Sequence, residues 1–143
     1  MAREKIDYGI DLGTTNSAIA RMEHGIPIIK KSEGTHMDTT PSCINFNIKK
    51  RIISGGKAYR LLESERLSAF RKNDPTRINT FEEFKREMGS QEQYVCDNMG
   101  KSFSSEELSA EVLKALKAYI RDEEINSIVI TVPAKFTGYQ KDA

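Results

Sequence analysis

The stretch Lys5-Ile6-Asp7-Tyr8-Gly9-Ile10-Asp11-Leu12 alternates apolar and polar side chains. Ile6, Tyr8, Ile10 and Leu12 fall on one face and Asp7, Gly9 and Asp11 on the other, which is the period of a half-buried strand. Gly13-Thr14-Thr15-Asn16 follows as a turn, and Ser17 to Met22 reads as a second strand, with Ala18, Ala20 and Met22 on one face and Ile19 on the other. Glu23-His24-Gly25 turns the chain again into a third strand, Ile26 to Lys31. Two short turns in succession predict an antiparallel meander, because parallel neighbours need a longer crossover.

Outward from the meander, Ser32 to Pro41 reads as a polar loop, and Ser42 to Asn47 with Arg51 to Ser54 as a strand pair closed by Gly55-Gly56. Lys57 to about Arg71 is helical in composition, and Asn73-Asp74-Pro75 breaks it. Thr80-Phe81-Glu82-Glu83 has capping-box spacing and predicts a short helix to Met88, stopped at Gly89. Gln93 to Phe103 reads as a hairpin around Asp97-Asn98-Met99-Gly100.

Ser104-Ser105-Glu106-Glu107 is a second capping box. Leu108, Val112, Ala115, Leu116, Tyr119 and Ile120 then form one helical stripe. Ile128 to Val132 predicts a strand buried on both faces and ended by Pro133. A long helix feeding an apolar strand predicts a crossover onto the first sheet. The charged middle separates the meander (1–31) from the final helix and strand (105–133), which predicts an insertion into a parent sheet and therefore two lobes.

A chain of 143 residues is one domain or an incomplete piece of a larger one, long enough to bury a core without staples. Lys and Arg total 22 against 21 Asp and Glu, so the near-neutral balance argues against a general nucleic-acid binder. No apolar run approaches the roughly 18 residues of a membrane helix, and the charged start shows no secretory signal, so a cytoplasmic protein without a membrane partner is expected. Cys43 and Cys96 lack metal-ligand spacing and read as buried, reduced thiols, while His24 and His36 read as surface residues.

Asp11-Leu12-Gly13-Thr14-Thr15-Asn16-Ser17 is the stretch that carries chemistry. Gly13 allows a positive φ and a close ligand approach, so the amides of Thr14, Thr15 and Asn16 can converge on one concavity beside hydroxyls. Such a nest suits phosphate oxygens. A carboxylate at the strand end, Asp11, suits Mg²⁺ directly or through water. An ordinary hairpin with a solvated Asp11 is equally compatible with these seven residues alone. Gly100-Lys101-Ser102 looks like the tail of a P-loop, but Val95 stands where that motif needs glycine.

Tyr8-Gly9-Ile10-Asp11-Leu12-Gly13-Thr14-Thr15-Asn16-Ser17 closely resembles the first phosphate motif of the heat shock protein 70 family of chaperones. Four later stretches resemble that family in the same order: Thr40-Pro41-Ser42; Lys85-Arg86-Glu87-Met88-Gly89; Leu108-Ser109-Ala110-Glu111-Val112-Leu113; and Val129-Ile130-Thr131-Val132-Pro133-Ala134-Lys135-Phe136, with Gln140 after it. Sugar kinases and actin-like proteins carry similar Asp-x-Gly-Thr turns, so the ordered series, more than the first motif, carries the resemblance.

The resemblance implies an α/β fold: a ribonuclease-H-like (actin-like ATPase) lobe of residues 1–38 and 105–143, partial, with an inserted smaller α+β lobe at 39–104. It implies that Asp11 organises Mg²⁺ and its waters, with K⁺ as a further ion, and that Gly13, Thr14, Thr15 and Asn16 form the β/γ-phosphate loop for ATP or ADP. Thr15 would approach the γ-phosphate, so Asp11 and Thr15 are the implied catalytic pair. Pro133 and Lys141 would relay nucleotide state towards a linker. Implied partners of the full-length protein are unfolded client peptides, a J-domain cochaperone and a nucleotide exchange factor.

Three departures stand out. The family's lysine is expected after a Gly-x-x-Ala pattern, and Tyr59 follows Gly55-Gly56-Lys57-Ala58 here. A phenol offers no fixed positive charge to a γ-phosphate, so a non-catalytic member, for which ATP is only a conformational ligand, is the alternative to an ATPase. Lys135 replaces the usual tyrosine. Lys141 replaces the usual arginine, keeping charge but not the planar fork. The chain alone, holding half a nucleotide site, is expected to show no turnover.

Overall fold

The computed structural model describes residues 7–31, 37–131 and 138–142. Strands β1 (Tyr8–Leu12), β2 (Asn16–Glu23) and β3 (Ile26–Lys30) form the expected antiparallel meander. His24 and Gly25 carry φ of 51° and 78° between β2 and β3, the two-residue turn whose twist matches a hairpin. The alternation in β1 holds, with Tyr8, Ile10 and Leu12 buried. In β2 the core takes Ser17 and Ile19, and Met22 stays 45% exposed.

The polar loop before Ser42 contains a short strand, β4 (Thr40–Pro41), which pairs with the start of β2. Next come β5 (Cys43–Phe46) and β6 (Ile52–Ser54), antiparallel as expected, then helix α1 (Gly56–Lys72). Asn73 closes α1 in the left-handed region, φ 50°, with its amide on the last carbonyls. Asp74 then caps a 3-10 turn at Pro75–Arg77.

The first expected capping box is not a helix start. Thr80–Glu82 is strand β7, paired with β5. The Thr80 hydroxyl is taken by the Glu65 carboxylate of α1, and it accepts from Asn45 Nδ2 at 2.8 Å. Glu83 has φ 56°, a conformation no helix interior adopts, so only a 3-10 turn follows at Phe84–Glu87. Tertiary partners thus override a local capping signal.

Strands β8 (Gln93–Cys96) and β9 (Lys101–Ser104) form the expected hairpin. Ser104 caps α2 (Ser105–Lys117) through a complete capping box with Glu107. The chain then crosses to β10 (Ile128–Thr131), parallel to β1. The short helix α3 (Gly138–Asp142) is the last element described.

The expected burial of β10 on both faces is corrected. Val129 and Ile130 are 49% and 41% exposed. Among the described residues β10 has β1 on one side and no strand on the other, and α2 lies over β2, β5 and β9.

The fold is therefore mixed α/β, with a five-stranded sheet of order β10-β1-β2-β3 plus β4 on β2, a three-stranded sheet β6-β5-β7, and the β8-β9 pair. One cluster of buried side chains joins Ile10 and Ile19 of the first sheet, Ile44 and Phe46 of the second, and Leu108 and Leu116 of α2. The Phe46 and Phe103 rings stack with centroids 4.3 Å apart. Each such buried ring or aliphatic chain stabilises the fold by about 1.5–3 kcal/mol. Both cysteines are free and buried, as expected, and His24 is exposed; His36 lies outside the described residues. No helix among the described residues is long and apolar enough to cross a membrane.

Candidate functional site

The turn between β1 and β2 is held from below by a closed set of hydrogen bonds. The Gly13 amide donates to Ser17 Oγ at 3.2 Å, and Ser42 Oγ donates to the Gly13 carbonyl at 2.9 Å. Ser17 Oγ and Ser42 Oγ are 2.7 Å apart, and with the Ser42 proton on Gly13 the Ser17 hydroxyl is the donor between them. The Ser42 amide donates to the Thr15 carbonyl at 2.9 Å. Ser17 and Ser42 are 1% and 3% exposed, so water does not compete for these bonds.

Gly13 serves the turn differently from expectation. Its φ lies outside the left-handed region, and its need for a bare Cα comes from crowding: a Cβ there would stand 1.9 Å from the Asn16 carbonyl oxygen. The amides of Thr14 and Thr15 find no acceptor among the described residues. Thr15 and Asn16 are exposed and Thr14 half-buried, so the upper side of the turn is open.

Asp11 is exposed at the end of β1, and its Oδ1 accepts from the Thr131 hydroxyl of β10 at 3.0 Å. The parallel register sets Asp11 beside Thr131, so the crossover brings that hydroxyl to the carboxylate. Lys85 is 3% exposed on the Phe84–Glu87 turn. Burial pushes its ammonium below the ordinary lysine range, and the Asp11 charge pulls it back up. The turn bearing Lys85 is tied to the start of α2: the Ser105 hydroxyl donates to the Phe84 carbonyl, and the Gly89 amide donates to Glu106 at 2.7 Å.

Residue 59 does not fill a cation's place in this geometry. Tyr59 is 43% exposed on α1, whereas Lys85 is a buried lysine whose charge the Asp11 carboxylate favours. Pro133 lies outside the described residues; Lys141 belongs to α3, and its side chain is likewise outside them.

A well-formed concavity lies elsewhere. A groove of about 1010 Å³ runs between β2, β3 and β4, the start of α1 and the end of α2. Of the loop residues it includes only Asn16. The phosphate-loop candidates face an open surface among the described residues.

A family model described as "Hsp70 protein" matches residues 7–143. The chain belongs to the Hsp70 family. Among curated Hsp70-family relatives it is 40% identical over 147 aligned positions to the chaperone protein DnaK of Mycoplasma mobile, 38% to that of Mycoplasma mycoides and 35% to that of Ureaplasma parvum. The alignments cover 100% of this chain but only 22%, 22% and 21% of those proteins, matching their N-terminal part.

The Hsp70-family loop fits a metal–polyphosphate better than a bare metal. Among the described residues no group of three His, Cys, Asp or Glu could hold an ion. A single carboxylate, Asp11, beside open amides and hydroxyls fits Mg²⁺, which keeps its waters and takes phosphate oxygens as ligands.

Four residues of this arrangement escaped the sequence reading of roles. Lys85 stood within a stretch already matched to the family, but a helix reading of its neighbourhood gave its charge no direction. Ser17 and Ser42 also stood in matched stretches. Thr131 stands in a matched stretch as well, and its contact with Asp11 follows from register, which the sequence does not show.

Proposed function

We propose that this chain is the first part of the nucleotide-binding unit of an ATP-dependent Hsp70-type chaperone. The observation that carries the reading is the open turn after Asp11, underpinned by Ser17 and Ser42 and faced electrostatically by the buried Lys85. Residues 1–38 and 105–143 form the ribonuclease-H-like (actin-like) lobe in this reading, and 39–104 the inserted lobe. The Thr14, Thr15 and Asn16 backbone amides and the two threonine hydroxyls bind the β- and γ-phosphates. Asp11, its carboxylate held by the Thr131 hydroxyl, would hold Mg²⁺ directly or through water. A metal held there would supply charge neutralisation at the phosphates. Lys85 holds a positive charge in a water-poor place, where it is worth more than at the surface.

The full-length protein would use ATP binding and hydrolysis to alternate its grip on unfolded peptide, with a J-domain cochaperone and an exchange factor as partners, in the cytoplasm. Single-turnover hydrolysis of Mg²⁺·ATP by the full-length protein tests this. A rate well above the uncatalysed background, lost in Lys85→Met, supports it. Tight ATP binding at the background rate would instead establish the non-catalytic reading. Tyr59, exposed on α1 and without a fixed positive charge, is the residue that favours that alternative.

A further inference from the structure

We infer that Ser42 is a positioning residue that aims the phosphate-binding amides, acting on the loop from its far side; this rests on the phosphate reading of residues 13–16. Ser42 comes from the segment after β4, some 25 residues beyond the loop it grips. It holds two loop carbonyls at once. Its hydroxyl donates to the Gly13 oxygen at 2.9 Å and its amide to the Thr15 oxygen at 2.9 Å.

A trans peptide is planar, so the C=O of one residue and the N–H of the next point in opposite directions. No cis peptide occurs among the described residues. With the Gly13 carbonyl turned down onto Ser42, the Thr14 N–H must point up and away from it. With the Thr15 carbonyl turned down in the same way, the Asn16 N–H must do the same. Both N–H groups point away from Ser42: that of Thr14 has no acceptor among the described residues, and that of Asn16, in β2, points across the turn towards Gly13, so an anion in the mouth of the turn would meet both, as in a nest. Ser17 completes the device, since its hydroxyl donates to Ser42 Oγ and leaves the Ser42 proton for Gly13.

The two grips are separable. Ser42→Ala removes only the hydroxyl, which orients the Gly13–Thr14 peptide, and leaves the backbone bond that orients Thr15–Asn16. The experiment is a titration of this 143-residue chain with Mg²⁺·pyrophosphate, followed by the amide shifts of Thr14 and Asn16. In the wild type both amides should move on binding. In Ser42→Ala the Thr14 response should collapse while that of Asn16 persists, with affinity falling by roughly tenfold. Ser42→Thr should restore the Thr14 response.

Should Ser42→Ala not fold, Ser42→Cys keeps the volume with a weak S–H donor and should give an intermediate Thr14 response. Equal losses at both amides, or no difference from wild type, would overturn the positioning role alone. Absence of any response in the folded wild type would overturn the phosphate reading and this inference with it.

Discussion

The Lys85 ammonium, 3% exposed on a 3-10 turn, is stabilised by the Asp11 carboxylate at the end of β1, far away in the chain. Neither residue explains itself alone. A buried lysine without a task is a cost to the fold, because desolvation disfavours its charge. Under the proposed function its charge, favoured by the Asp11 carboxylate, would serve as a counter-charge at the phosphate site.

Replacing Lys85 by methionine should therefore separate stability from function. The folded lysine is held below its ordinary value of 10.5, so the unfolded chain binds more protons between the two values and stability rises with pH there. Lys85→Met should remove that rise and leave the melting temperature at neutral pH unchanged or higher. Thermal melts across alkaline pH check this; a large loss of stability at neutral pH would show that the charge is structurally required.

Gly13→Ala should disable the loop. The added Cβ meets the Asn16 carbonyl at 1.9 Å, and backbone on both sides must move to relieve it. Overpacking of this kind costs roughly 1–3 kcal/mol. Denaturant midpoints should show the loss of stability, together with weaker polyphosphate binding.

The reading of the fold succeeded where local periodicity and packing agreed. The alternation of Tyr8, Ile10 and Leu12 is the alternation of the buried face, and the capping box at Ser104 and Glu107 starts a real helix. It failed where a distant partner claimed a local signal. Thr80 has the spacing of a cap, yet Glu65 of α1 takes its hydroxyl and strand pairing with β5 takes its backbone. In the site, the residues that define the turn were legible because the motif is contiguous. Lys85, Ser42 and Thr131 were not, because their roles depend on which strands adjoin and how far a crossover carries the chain.

Cys43 should be inert in the native state. Burial pushes its thiol up to about 12, so almost no thiolate is present at pH 8. Mass spectrometry after iodoacetamide treatment should find Cys43 alkylated only when the chain is unfolded. Rapid native alkylation would contradict its burial between β5 and α1.

The acid limb of the stability curve should depend on Arg21. A hydrogen bond from Arg21 holds Asp122 below its ordinary 3.8, and bonds from Lys30 and then Arg21 hold Glu23 below 4.5. Stability from these carboxylates is present above those values and lost as pH falls through the lower folded ones. These groups are exposed, so the effect is modest and screened by salt. Arg21→Ala should flatten the decline in melting temperature below about pH 5, most visibly at low ionic strength.

The central claim is that the turn from Gly13 to Asn16 holds a polyphosphate. Titration calorimetry of the full-length protein with Mg²⁺·ADP and with AMP tests it most directly. The account predicts that ADP binds far more tightly than AMP and that Gly13→Ala erases the difference. Equal affinities for the two nucleotides in the wild type, or an ADP preference untouched by Gly13→Ala, would contradict it.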